Sequence, residues 1–170
     1  IFMCYPGEQA SKIEQEACAR KIFSTLGRRA YRRSLTDGDM TVLLDFYRTG
    51  RGARDFDEGI RSGLTRILAS PYFLYRATIP GEQNVVPGSI RPVSDLELAS
   101  RLGFFLWSSV PDDELLDDAE VGKLRDPEIL RKHVLRLLAN SKSNTLTRNF
   151  AYQWLQLRTL SEVEPDPNLF

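Results

Sequence analysis

Three features of the sequence predict an all-α fold: capping boxes that open helical stretches, apolar residues recurring at helical spacing, and the lack of any alternating run long enough to build a sheet. The expected architecture is an orthogonal or bundle-like array of about six helices. It falls into two halves joined by an extended connector rich in Pro and Gly.

Ser11 with Glu14 forms a capping box, and Ile22, Leu26 and Ala30 continue at helical spacing, so the first helix is expected to run to about Arg32. Thr36 with Asp39 opens the second. Its buried stripe is Met40, Leu43, Leu44 and Tyr47, and it is expected to stop near Gly50 and Gly52. Phe56, Ile60, Leu64, Ile67 and Leu68 mark a third helix that ends before Ser70-Pro71. The stretch 78–93 holds three prolines and two glycines without a helical period, which separates a subdomain 1–77 from a subdomain 94–170.

The second half restarts at Ser94 and Glu97 with another capping box, with Leu98, Leu102 and Phe105 expected along the buried face and Glu97 set to pair with Arg101. Leu102 to Trp107 is apolar nearly all round, which suits the centre of a bundle. Val110-Pro111 stops that helix, and Asp112, Asp113 and Glu114 stand where carboxylates suit the positive end of the next. Asp126-Pro127-Glu128 is a further start, followed by a stripe of Leu130, Val134, Leu137 and Leu138. A last helix from about Ser143 lines up Leu146, Phe150, Trp154 and Leu157.

The 170 residues, 42% of them hydrophobic, are enough for a folded, soluble domain with a real core. Lys plus Arg and Asp plus Glu number 23 each, so no global field draws the chain to nucleic acid or an anionic membrane. Leu102 to Trp107 falls far short of the roughly 20 apolar residues of a membrane span. The N-terminus lacks the basic and apolar regions of a signal peptide, and the chain opens without Met and stops without a closing element, so an internal piece of a longer protein is expected. Cys4 and Cys18 flank a Pro6-Gly7 break. Spacing leaves open both a disulfide and two reduced core thiols. Two cysteines and one remote histidine do not make a structural zinc site.

Several constellations bear on chemistry. The cluster Arg28, Arg29, Tyr31, Arg32 and Arg33 suits phosphate or base contacts, but equally a helix C-terminus where cations meet the dipole, which is the favoured reading. Reading the next helix as a recognition helix fails on its Asp37, Asp39 and Asp45. The run Asp112, Asp113, Glu114, Asp117, Asp118 and Glu120 lacks the alternating ligands and central glycine of a calcium loop, and reads as a solvated helix face. His133 offers a general base or haem ligand, though a lone helical histidine is more often a surface or half-buried residue. Phe104, Phe105, Trp107, Phe150, Tyr152 and Trp154 read as core packing rather than a cofactor pocket. Gly50-Arg51-Gly52 with Arg48 and Arg54 is a poor phosphate loop, because it follows a helix and lacks the Gly-Lys-Ser/Thr ending.

Taken together, IFMCYP, ACARKIFSTLGRRAYRRSLTDGDM, GIRSGLTRILASPYFLYR, SDLELASRLGFFLWSSVPDDELL, LRDPEILRKHVLRLLANSKS and NFAYQWLQLRTL closely resemble the planctomycete-type cytochrome c-linked proteins, large multidomain proteins built from consecutive domains of unknown function. The resemblance spans essentially the whole chain. It implies export to the periplasm or cell envelope and a c-type cytochrome segment elsewhere in the polypeptide, hence haem c outside this segment and no cofactor within it. It also favours a Cys4–Cys18 disulfide, and it carries over no catalytic residue. The leading reading is an accessory, noncatalytic helical module that organises a haem domain against another domain or partner. The alternative is an enzyme domain with Arg101, Trp107, Asp112 and Asp113 near a cleft between the halves. A weaker one is nucleic-acid binding through Arg28 to Arg33.

Overall fold

The structure is a computed structural model that describes residues 3–7, 9–75 and 92–157. All regular elements among the described residues are helical, and none is a strand, so the fold is all-α. Two compact units are distinguished, 1–97 and 98–170. The connector expected at 78–93 lies almost wholly outside the described residues, which resume at Pro92.

In the first unit, Ser11 and Glu14 cap each other reciprocally and open α1 (Lys12–Tyr31). Arg32 closes it in the left-handed conformation, φ 58°, with the Arg33 N–H returning to the carbonyl of Arg28. Thr36 and Asp39 form a second capping box at the head of α2 (Asp37–Ala53). Asp55 then caps α3 (Phe56–Leu68), so α2 and α3 make a tight hairpin. A single turn, α4 (Pro71–Leu74), follows Ser70, too short for sequence periodicity to single out.

The core of this unit joins Ile22 and Phe23 of α1, Leu43, Leu44 and Tyr47 of α2, and Phe56, Ile60 and Ile67 of α3. Glycines set how closely these helices approach. α2 ends at Ala53, next to Gly52 and so near the expected stop, while Gly50 stays helical and its missing Cβ makes room for Ser62 and the Glu58 carbonyl of α3. Gly59 and Gly63 likewise receive the rings of Tyr47 and Phe23. Leu68, one of the residues that mark this helix in the sequence, is exposed at the end of α3.

The second unit begins within α5 (Asp95–Trp107), whose first turn is capped by Ser94 accepting from the Glu97 N–H at 3.2 Å. Its buried face differs from the expected one. Ala99, Gly103, Leu106 and Trp107 are buried, whereas Leu98 and Leu102 are only partly so and Phe105 is exposed. From Leu102 to Trp107 this helix is apolar nearly all round, which gives its periodicity little contrast there. The face is chosen instead by Gly103, where an added Cβ would lie 2.8 Å from the Pro111 nitrogen. Asp112 caps α6 (Asp113–Glu120), Gly122 turns the chain at φ 74°, and Asp126 with Pro127 starts α7 (Pro127–Ala139).

On α7, His133 and Leu137 are the buried positions, while Leu138, placed in the expected stripe, is exposed. The last helix is α8 (Asn144–Leu146), a wider π turn at Thr147–Ala151, and α9 (Tyr152–Trp154). Its line of Phe150, Trp154 and Leu157 is exposed rather than buried.

Candidate functional site

The densest set of interacting ionisable groups lies between α6 and α7. Asp112 caps α6 by accepting from the Leu115 N–H at 3.1 Å, and the same carboxylate receives both terminal nitrogens of Arg136. Burial opposes ionisation of Asp112, but the Arg136 and Leu115 hydrogen bonds outweigh it and hold the carboxyl below its ordinary range. Glu114 adds a carboxylate oxygen 3.3 Å from Nε of Arg136 and another 3.8 Å from Lys132. One turn from the end of α6, Asp118 meets Nε2 of His133 at 3.0 Å and Nζ of Lys123 at 3.2 Å. Those two hydrogen bonds, from His133 first, draw its carboxyl downward. Partners run in opposite order along the two helices, Asp112 with Arg136 and Asp118 with His133.

His133 is fully buried, which corrects its expected surface or half-buried position. Arg136 Nη2 approaches its Nδ1 at 3.2 Å, and a guanidinium can only donate. Nδ1 therefore accepts, and the ring proton sits on Nε2, aimed at Asp118. With both nitrogens engaged inside protein, the ring offers neither base nor ligand to anything outside. The acidic run of α6 is likewise not a purely solvated face, because three of its members pair with the basic side of α7. The signal in the sequence is the pairing of an acidic run with Lys132, His133 and Arg136 across a short, Gly-containing turn. Taken separately, the two runs do not single out Arg136.

Among the cleft candidates, Trp107 and Asp112 are both directed to α7. Trp107 is buried, its Nε1 donates to the Leu137 carbonyl at 2.8 Å, and Lys142 lies 4.8 Å above its ring. Arg101 is exposed on α5 and Asp113 is half-buried in the first turn of α6. The aromatic set divides. Trp107 is core, but Phe105, Phe150, Tyr152 and Trp154 are exposed, which corrects their expected core role. Phe105 meets Phe150 edge-on at 5.7 Å, and Phe150 stacks on Trp154 at 5.9 Å. These side chains find one another without being covered.

In the first unit, Cys4 and Cys18 form a disulfide that ties the N-terminal segment to α1, and no cysteine is free. The arginine cluster is largely engaged in packing. Arg32 donates to the carbonyls of Tyr72 and Tyr75 at 2.6 and 3.1 Å, and Arg33 pairs with Asp39 at 2.7 Å while lying 4.8 Å over the Tyr72 ring. Gly50, Arg51 and Gly52 are helical rather than a loop, with Arg51 on Gln15 and Arg48 clamped on Glu16.

No group of three or more His, Cys, Asp or Glu suited to a metal ion occurs among the described residues, and no helix there is long and apolar enough to cross a membrane. The residues present do not fit a covalently attached haem: the chain's two cysteines are bonded to each other and its one histidine is engaged at both nitrogens.

No curated protein and no solved structure matches the chain. Residues 18–77 match the family described as PSD5, protein of unknown function (DUF1595), and residues 93–170 match the family described as PSD4, protein of unknown function (DUF1592). The chain is thus similar to one of these families over its first part and to the other over its second.

Proposed function

We propose that this chain is an accessory helical module of an exported, cytochrome c-linked multidomain protein, and that it organises a haem-bearing domain against another domain or partner. The observation that carries the reading is the uncovered aromatic stack of Phe105, Phe150 and Trp154, with Trp154 72% exposed. Contiguous exposed aromatic surface of this kind is a mark of interaction sites. Engagement of Asp112 and Trp107 by α7, and of His133 by Asp118 of α6, favours an organising role over a reaction at those side chains. The disulfide supports the periplasm or cell envelope, where such bonds persist. A division into 1–77, 78–93 and 94–170 belongs to the same reading and is supported by family matches that end at residue 77 and resume at 93.

Photocrosslinking from position 154 of the native polypeptide, exported to the periplasm, tests this. The expected product joins position 154 to another segment of the polypeptide or to a chain carrying covalent haem, read by mass and haem absorbance. An aromatic stack that crosslinks to neither, or a redox or hydrolytic turnover sustained by these 170 residues alone, overturns it.

A further inference from the structure

The first unit contains a half-open cavity of about 360 Å³ between the end of α1, the head of α2, the last turn of α3 and α4. That volume lies within the range of small-molecule sites, roughly 300–1,000 Å³. Its walls are apolar and aromatic: Tyr31 and Tyr72, with ring centroids 5.5 Å apart, and Val42.

Polar groups in the cavity are unevenly satisfied. Asp39 is neutralised, since its carboxylate is bound by Arg33 and by both the N–H and the hydroxyl of Thr36. Arg66 is not. Its guanidinium lies 6.0 Å over the Phe46 ring and makes no ion pair or hydrogen bond among the described residues. Ser70, only 1% exposed, also lines the cavity. Its Oγ accepts from the Tyr72 N–H at 3.3 Å, while its own O–H reaches no acceptor among the described residues. A buried hydroxyl with an unused proton and an unpaired guanidinium thus both line the cavity, two donors without an acceptor among the described residues, on walls that also carry two aromatic rings.

We propose that this cavity binds a small organic monoanion, a carboxylate attached to a flat apolar body. Arg66 supplies the planar donor fork that matches a carboxylate, and the Ser70 hydroxyl gives a further hydrogen bond. Tyr31, Tyr72 and Val42 receive the body. With Asp39 already paired to Arg33, the cavity carries one uncompensated positive charge, which one carboxylate balances.

Benzoate is the probe, titrated into the full chain by calorimetry, with benzamide, acetate and inorganic phosphate compared under the same conditions. Benzoate is expected to bind saturably and at least tenfold more tightly than benzamide, which keeps the ring without the charge, or acetate, which keeps the charge without the ring. Arg66→Gln is expected to weaken benzoate at least tenfold, and Ser70→Ala severalfold. Arg66 is half-buried, so Arg66→Gln with an unchanged circular dichroism spectrum and melting temperature remains decisive even if Ser70→Ala unfolds the unit. Equal binding of benzoate and benzamide, preference for phosphate, or undiminished binding in a folded Arg66→Gln variant overturns the proposal.

Discussion

Nη2 of Arg136 lies 3.2 Å from Nδ1 of the fully buried His133. The same guanidinium grips Asp112, so one side chain both neutralises the α6 cap and sets the tautomer of the only histidine. Arg136→Met should destabilise the second unit by about 1–3 kcal/mol, since it leaves a buried ring nitrogen without its donor. Arg136→Lys, which keeps the charge but not the fork, should fall between. Chemical denaturation followed by Trp107 fluorescence measures both, and an unchanged midpoint in Arg136→Met would show that the contact contributes nothing.

Acid should unfold the protein through its paired carboxylates. Burial works against ionisation of Asp112 and of Asp39, yet Arg136 and Arg33 respectively keep both below the ordinary range, and His133 and Lys123 do the same for Asp118. A depressed folded-state pKa gives stability that is fully present above the unfolded value, about 3.9 for Asp, and lost as pH falls through the folded one. Stability should therefore hold steady at neutral pH and fall steeply below about pH 4. Asp112→Asn should flatten that acid limb, and a parallel limb in wild type and variant would remove Asp112 from the account.

Tyr47 is buried, and its hydroxyl lies near Arg51 without a hydrogen bond of ordinary geometry among the described residues. Burial accordingly raises the phenol above its ordinary value. Tyr47→Phe keeps the ring that packs against Phe23, Phe56 and Gly59 and removes the unsatisfied oxygen. The melting temperature should stay level or rise, by the equivalent of up to about 1 kcal/mol. A clear fall would reveal a partner for the hydroxyl.

Glycine substitutions should separate by what a Cβ would meet. At Gly63 it would enter the Phe23 ring, and at Gly103 it would press on the backbone of Pro111, so Gly63→Ala and Gly103→Ala should each cost about 1–3 kcal/mol. At Gly52, inside α2, nothing lies within 4 Å. Gly52→Ala should stabilise by roughly 0.4–1 kcal/mol through helix propensity and a less flexible unfolded chain. Thermal melts of the three variants check the order.

Joining Cys4 to Cys18 constrains a short loop of the unfolded chain. Replacing both with Ala should lower the stability of the first unit by about 2–4 kcal/mol. Alkylation of the denatured, nonreduced protein from the periplasm should find no free thiol, and two alkylated cysteines would contradict the bridge.

Much of the fold was written in local patterns. The boxes Ser11/Glu14 and Thr36/Asp39, the Asp112 cap and Asp126-Pro127 involve neighbours within one helical turn, and those start α1, α2, α6 and α7 where periodicity indicates. The stripe of α2 was equally legible, because it alternates apolar with polar positions clearly enough to name a buried face; of the line read on α1, Ile22 is buried but Leu26 and Ala30 only partly so. Where that contrast was missing, the sequence left the choice open: α5 is apolar nearly all round from Leu102 to Trp107, and close approach of Pro111 to Gly103 selected its face.

What the sequence determined by itself was helical class, helix starts and the buried face of α2, since these depend on propensity, caps and spacing within single segments. Tertiary structure decided which polar groups found partners. Gly50 serves as a close contact because α3 lies against it, and His133 is buried because Asp118 and Arg136, fifteen positions before and three after, satisfy its two nitrogens. It also decided that Phe105, Phe150 and Trp154 would meet each other yet stay exposed. Apolar character marks a side chain as able to be buried, but only the placement of other segments supplies the surface that buries it.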